Sequence, residues 1–80
     1  MADTTIFERI VVSREVMHGK PRVAGTRILV TQVLDLLAGG KTISEILSPD
    51  YFPDLNEADI LACIAYASQM IRDDRIVPVP

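Results

Sequence analysis

Eighty residues, 49% of them hydrophobic, make one small domain that is too apolar for intrinsic disorder. Six Lys/Arg stand against four Asp/Glu in residues 1–41 and two against seven in residues 42–80, so the net charge of −3 hides a basic first half and an acidic second. The longest uncharged run, Ile60–Ile71, is too short to span a bilayer, and Cys63, alone in the chain, excludes an internal disulfide. No basic stretch precedes an apolar one at Met1–Thr5, so no secretory signal is expected, and the lone thiol suits a cytoplasmic, reducing compartment.

Glu8–Val12 reads as a short strand with Ile10 and Val12 on one face, and its expected partner is Ile28–Val30. Ser13 is a cap for one helical turn through Arg14–Met17, which Gly19 stops. His18, with no Cys or second His beside it, reads as a surface or packing residue. Gly19–Val30 is the centre of the chain: Pro21 fixes its own φ and pushes Lys20 towards extended geometry. Gly25 before Thr26 reads as a turn with positive φ, joining two extended arms at Ala24–Gly25. Within Arg9–Arg27 five basic residues face Glu15 alone, which is either a solvated face or a cationic footprint for phosphate or an acidic partner.

Thr31 is the expected N-cap of a helix through Ala38, with Val33, Leu34, Leu36 and Leu37 buried and Gly39-Gly40 ending it. Gly39-Gly40-Lys41-Thr42 lacks P-loop spacing, so a helix end followed by a turn explains it. Thr42 and Glu45 fit a capping box, and Pro49 keeps that helix short. Tyr51 and Phe52 are expected to plug the core. Asn56 opens the longest helix, with Asp59 as capping partner and Leu55 against Ile60 as a hydrophobic staple. Ile60, Ile64, Ala67 and Ile71 form one apolar stripe of that helix; Cys63, Tyr66 and Met70 form a second. Such a helix must be buried on more than one side, so the second stripe is read as a protein–protein contact. The alternative is that the N-terminal hairpin or the tail Arg75–Pro80 covers it.

Gly19-Lys20-Pro21, then Gly25-Thr26-Arg27-Ile28 with Val30, then Val33-Leu34 with Leu36-Leu37-Ala38-Gly39-Gly40, occur in a distinctive order. Ile43–Leu47, Tyr51, Pro53-Asp54-Leu55 and Ala58-Asp59-Ile60 continue it. This ordered set, over about residues 9–67, resembles the small bacterial family catalogued as domain of unknown function 433. The resemblance implies a mainly helical fold related to helix-turn-helix domains. It also implies, for some members, an antitoxin role beside a nuclease-like toxin.

The fold expected is therefore mainly α: a small N-terminal β-hairpin or extended segment (1–30), a three-helix, helix-turn-helix-like bundle (31–73) and an extended tail (74–80). No catalytic set, metal-ligand cluster or cofactor motif is visible, and an enzyme is not expected. The expected function is an antitoxin-like protein that neutralises a nuclease-type toxin, with DNA-binding autoregulation as a possible addition. The rival is a DNA-binding regulator or homodimerising module without a toxin. A homodimer with weak DNA affinity and no membrane association is expected. Candidate DNA contacts are Lys20, Arg22, Arg27, Lys41, Thr42 and Ser44, because Asn56–Asp59 at the start of the last helix would repel phosphate. Candidate protein contacts are Cys63, Tyr66, Met70, Ile76 and Val77; Gly19, Pro21, Gly25 and Thr26 form the structural motif.

Overall fold

The computed structural model describes residues 3–73. Thr4–Phe7 (β1) and Ile10–Val12 (β2) form an antiparallel hairpin, closed by a two-residue turn in which Arg9 has a φ of 67°. Arg22–Val23 (β3) pairs antiparallel with the other edge of β2, giving the order β1-β2-β3. Directly opposed residues share a face, so the register Ile10↔Val23 sends both side chains into the core, while Val11↔Arg22 sends its pair to the other side. Three helices follow: Val30–Ala38 (α1), Ile43–Ile46 (α2) and Glu57–Asp73 (α3).

This corrects the expected mainly α, three-helix, helix-turn-helix-like bundle. The second helix is a single four-residue turn, and the wall it would have supplied is a three-stranded antiparallel sheet. Ile10 and Val23 from the sheet, Val30 and Val33 from α1, Ile46 from α2, Leu55 from the connector and Ile60 and Cys63 from α3 close one buried cluster. Strand pairing also differs from expectation. β2 has Thr4–Phe7 and Arg22–Val23 as neighbours, and Ile28–Val30 does not join it. Instead Leu29 bridges to Arg22 and Val30 already begins α1.

The Gly19–Val30 segment is a hairpin folded on itself. The Val23 amide donates to the Ile28 carbonyl at 2.9 Å and the Val30 amide to the Pro21 carbonyl at 3.1 Å. The Thr26 hydroxyl donates to the Val23 carbonyl (2.8 Å) and accepts from the Ile28 amide (3.0 Å), closing the turn from inside. Gly25 has a φ of +79° and a Cβ there would meet nothing within 4 Å, so backbone conformation rather than space calls for glycine. The helical turn expected over Arg14–Met17 does not form. Ser13 and Val16 bridge instead, and Met17, His18 and Gly19 all take left-handed φ values of 51°, 58° and 74°.

Helix ends follow local chemistry. Thr42 and Glu45 form a reciprocal box: the Glu45 amide donates to Thr42 Oγ1 (3.1 Å) and the Thr42 amide to Glu45 Oε1 (2.9 Å). The Thr42 amide first, then the Thr42 hydroxyl, with Lys41 adding its charge, hold the Glu45 carboxyl below its ordinary range. α1 begins one residue before the expected Thr31 cap, with the Leu29 amide donating to Gln32 Oε1 at 2.8 Å. It ends where the Lys41 amide reaches the Leu36 carbonyl (3.0 Å) across Gly40, which has a φ of 93°.

Candidate functional site

The first half of α3 is anchored from several directions. The Asp59 amide donates to Asn56 Oδ1 and the Asn56 amide to Asp59 Oδ2, both at 3.0 Å, capping the helix. The other Asp59 oxygen accepts from Arg9 Nη1 at 3.2 Å, tying the cap to the β1–β2 turn. Ile60 and Cys63 are fully buried in the core, and burial, with the Asp59 charge adding to it, pushes the Cys63 thiol up to about 11. Tyr66 is the last ring held by the fold, tilted against Phe7 of β1 with centroids 5.8 Å apart.

Beyond Tyr66 the same helix emerges from its supports. Met70 lies seven residues after Cys63, on nearly the same azimuth, yet is 46% exposed; Ile71 is 60% exposed. Between this distal half of α3 and the start of α1 runs a groove of about 380 Å³, lined chiefly by Val30, Leu34, Tyr66, Ala67, Met70 and Ile71. Lys20 and Thr31 are the polar side chains on its rim. An apolar cleft with a cation at its edge suits an apolar segment of another protein that carries an acidic group.

The residues expected to touch protein divide. Tyr66 and Met70 line the groove, but Cys63 is 0% exposed and belongs to the core, so it cannot touch a partner of the folded chain. Ile76 and Val77 lie outside the described residues. The residues expected to touch DNA sit in different places. Lys20 is on the groove rim and Arg27 is exposed beyond the Gly25 turn. Arg22 is buried, its Nη2 donating to Asp3 Oδ1 at 2.6 Å, while Nε and Nη1 have no acceptor among the described residues. Lys41 and Ser44 share an open cleft with Glu45, Asp50 and Tyr51, and Lys41 Nζ lies 5.6 Å from the centroid of the Tyr51 ring. Thr42 is occupied by its cap. Tyr51 therefore lies at the surface rather than plugging the core; Phe52 alone packs against it.

Sequence reasoning missed the groove because its far wall is contributed by Val30 and Leu34, about 35 residues away in the chain. It also missed Arg9, whose partner Asp59 is 50 residues distant. The uncharged run Ile60–Ile71 was the available signal for both the buried half of α3 and its exposed half. Among the described residues no helix is long and apolar enough to cross a membrane, and no three His, Cys, Asp or Glu side chains are grouped to hold a metal.

Residues 10–67 match the family described as "Protein of unknown function (DUF433)". The chain belongs to this DUF433 family. The match takes in the sheet from β2 onwards, the Gly19–Val30 hairpin, α1, α2 and the anchored half of α3, and it stops at Ala67, where the helix leaves the core. No curated protein and no solved structure matches the chain.

Proposed function

We propose that this DUF433 protein acts by binding another protein, and that the partner is a nuclease-type toxin which it restrains. The observation that carries the binding half is the apolar groove between α1 and the distal half of α3, with Met70 and Ile71 left open to solvent. The toxin half rests on the family resemblance. One physical feature agrees with it: Asp73 follows the groove's last apolar side chains, in the acidic half of the chain. A nuclease must attract phosphate, so an acidic element seated beside an apolar anchor can occupy the same electrostatic field. DNA contact is left out of this reading, because Arg22 is buried against Asp3 and Lys41 stands between Glu45, Asp50 and the Tyr51 ring.

Co-expression with the product of the neighbouring gene tests the proposal. That product should arrest growth alone, be rescued by this chain and co-purify with it, and Met70→Glu/Ile71→Glu should abolish both rescue and co-purification. A harmless neighbour that does not bind removes the toxin reading. Rescue undiminished in the double variant removes the groove.

A further inference from the structure

β1 is an open edge of the sheet. Among the described residues the far side of β3 is closed by its own hairpin, through the Val23–Ile28 and Val30–Pro21 hydrogen bonds, whereas β1 has no neighbour beyond it. The alternation of an antiparallel ladder fixes which backbone groups are left open. The Ala24 amide donates to the Arg9 carbonyl at 2.8 Å, so Ile10 turns its amide and carbonyl towards β1 and Val11 turns its own towards β3. Thr5, opposite Val11, therefore points its amide and carbonyl away from the sheet. Edge strands are ordinarily blunted by charge, proline or a bulge. Thr4–Phe7 has neither charge nor proline, and its bulge, between Thr5 and Phe7, leaves the Thr5 end regular.

Beside this edge, on the helix side of the sheet, lies a groove of about 360 Å³ between Phe7 and Glu8 and the flank of α3 at Ala58, Leu61, Ala62 and Ala65. Leu61 is 51% exposed there. A strand added to β1 sends alternate side chains to the helix side, so one partner satisfies the backbone of Thr5 and covers this groove.

We infer that the added strand is β1 of a second copy, paired antiparallel about Thr5, so that two three-stranded sheets join into one of six. Identical edges reversed against each other are self-complementary: each Thr5 amide donates to the carbonyl of the partner's Thr5 across a two-fold axis. Charge favours the same contact. A chain of net charge −3 repels its copy over much of its surface, but Thr4–Phe7 is uncharged. Centring on Thr5 sets Asp3 opposite the partner's Phe7 and not opposite its Glu8, and Asp3 is already paired with Arg22 at 2.6 Å. The contact uses the flank of α3 about half a turn away from Met70, so it leaves the groove beside α1 open and does not depend on the toxin reading. The regular edge is short, which places association in the micromolar range.

Light scattering tests it. The unmodified chain should pass from a monomer to a dimer mass as concentration rises through that range. Thr5→Pro removes an amide that β1 does not use towards β2, so it should abolish the dimer with an unchanged circular dichroism spectrum. Thr5→Lys and Thr5→Asp each oppose like charges across the axis and should raise the dissociation constant by about tenfold or more. Mixed together, these two charged chains should recover the dimer mass, because only pairing about Thr5 sets residue 5 against itself. A monomer mass at several hundred micromolar overturns the inference. So does a Thr5→Pro mass unchanged from that of the unmodified chain, or a Lys/Asp mixture no more associated than its two components.

Discussion

The two halves of α3 share one helix and one uncharged run, yet they live in different surroundings. From Glu57 to Tyr66 the helix is capped by the Asn56–Asp59 exchange, tied to the β1–β2 turn through Arg9, and packed on the sheet and α1 through Ile60, Cys63 and Tyr66. From Ala67 onwards the described residues supply one wall, the start of α1, and Met70 and Ile71 stand open. Hydrophobic side chains continue past the point where the fold can bury them. The lesson is that the two apolar stripes read from the sequence are divided along the helix as well as around it. Cys63 and Met70 belong to one stripe and to different environments.

That contrast can be broken most severely in the anchored half. Ile60→Ala should cost about 2–5 kcal/mol, the range for emptying a fully enclosed aliphatic site, measured as a drop in the urea midpoint. A loss under 1 kcal/mol would show that this half is no better packed than the other.

Cys63 sharpens the same point through pH. Its thiol is raised from 9.0 to about 11 in the fold, so the folded state holds the proton more tightly than the unfolded one. The associated stability is present below about pH 9 and lost as pH rises towards 11, by about 2–3 kcal/mol in all. Unfolding of the unmodified chain and of Cys63→Ala, followed from pH 8 to 11, should show the gap between them closing. A constant gap would place the thiol in contact with water.

Asp59→Ala removes the amide acceptor at the helix start and the partner of Arg9. About 1–2 kcal/mol should be lost, because the half-exposed guanidinium can return to water. Ile71→Glu should change the stability of the monomer least, by under about 0.5 kcal/mol, as at an ordinary surface site. A large loss there would mean that the distal half is part of the core.

What was legible in the sequence was what depends on near neighbours. The Thr42–Glu45 and Asn56–Asp59 boxes join residues three apart, and Gly25 and Gly40 take the positive φ that their neighbours demand. The Leu55–Ile60 staple is likewise local, and both residues are buried. What escaped was tertiary. Thr4–Phe7 is a short, largely exposed edge strand with little alternation, so it is recognisable only beside β2. Arg22 looks like a free cation until Asp3, nineteen residues earlier, is brought against it. Sheet and helices share one apolar composition, so a bundle and this mixed arrangement were not separable by pattern alone. The candidate site divides in the same way. Tyr66 and Met70 could be read from helical spacing, whereas the opposing wall at Val30 and Leu34 needed the fold.

Residue-resolved amide hydrogen exchange of the dilute, monomeric chain tests the division of α3 most directly. Amides from Leu61 to Tyr66 should exchange only by near-global unfolding, and those from Met70 to Asp73 orders of magnitude faster, through local opening. Uniform protection along the whole helix would contradict the account, because the distal half would then be held by the fold and not left for a partner.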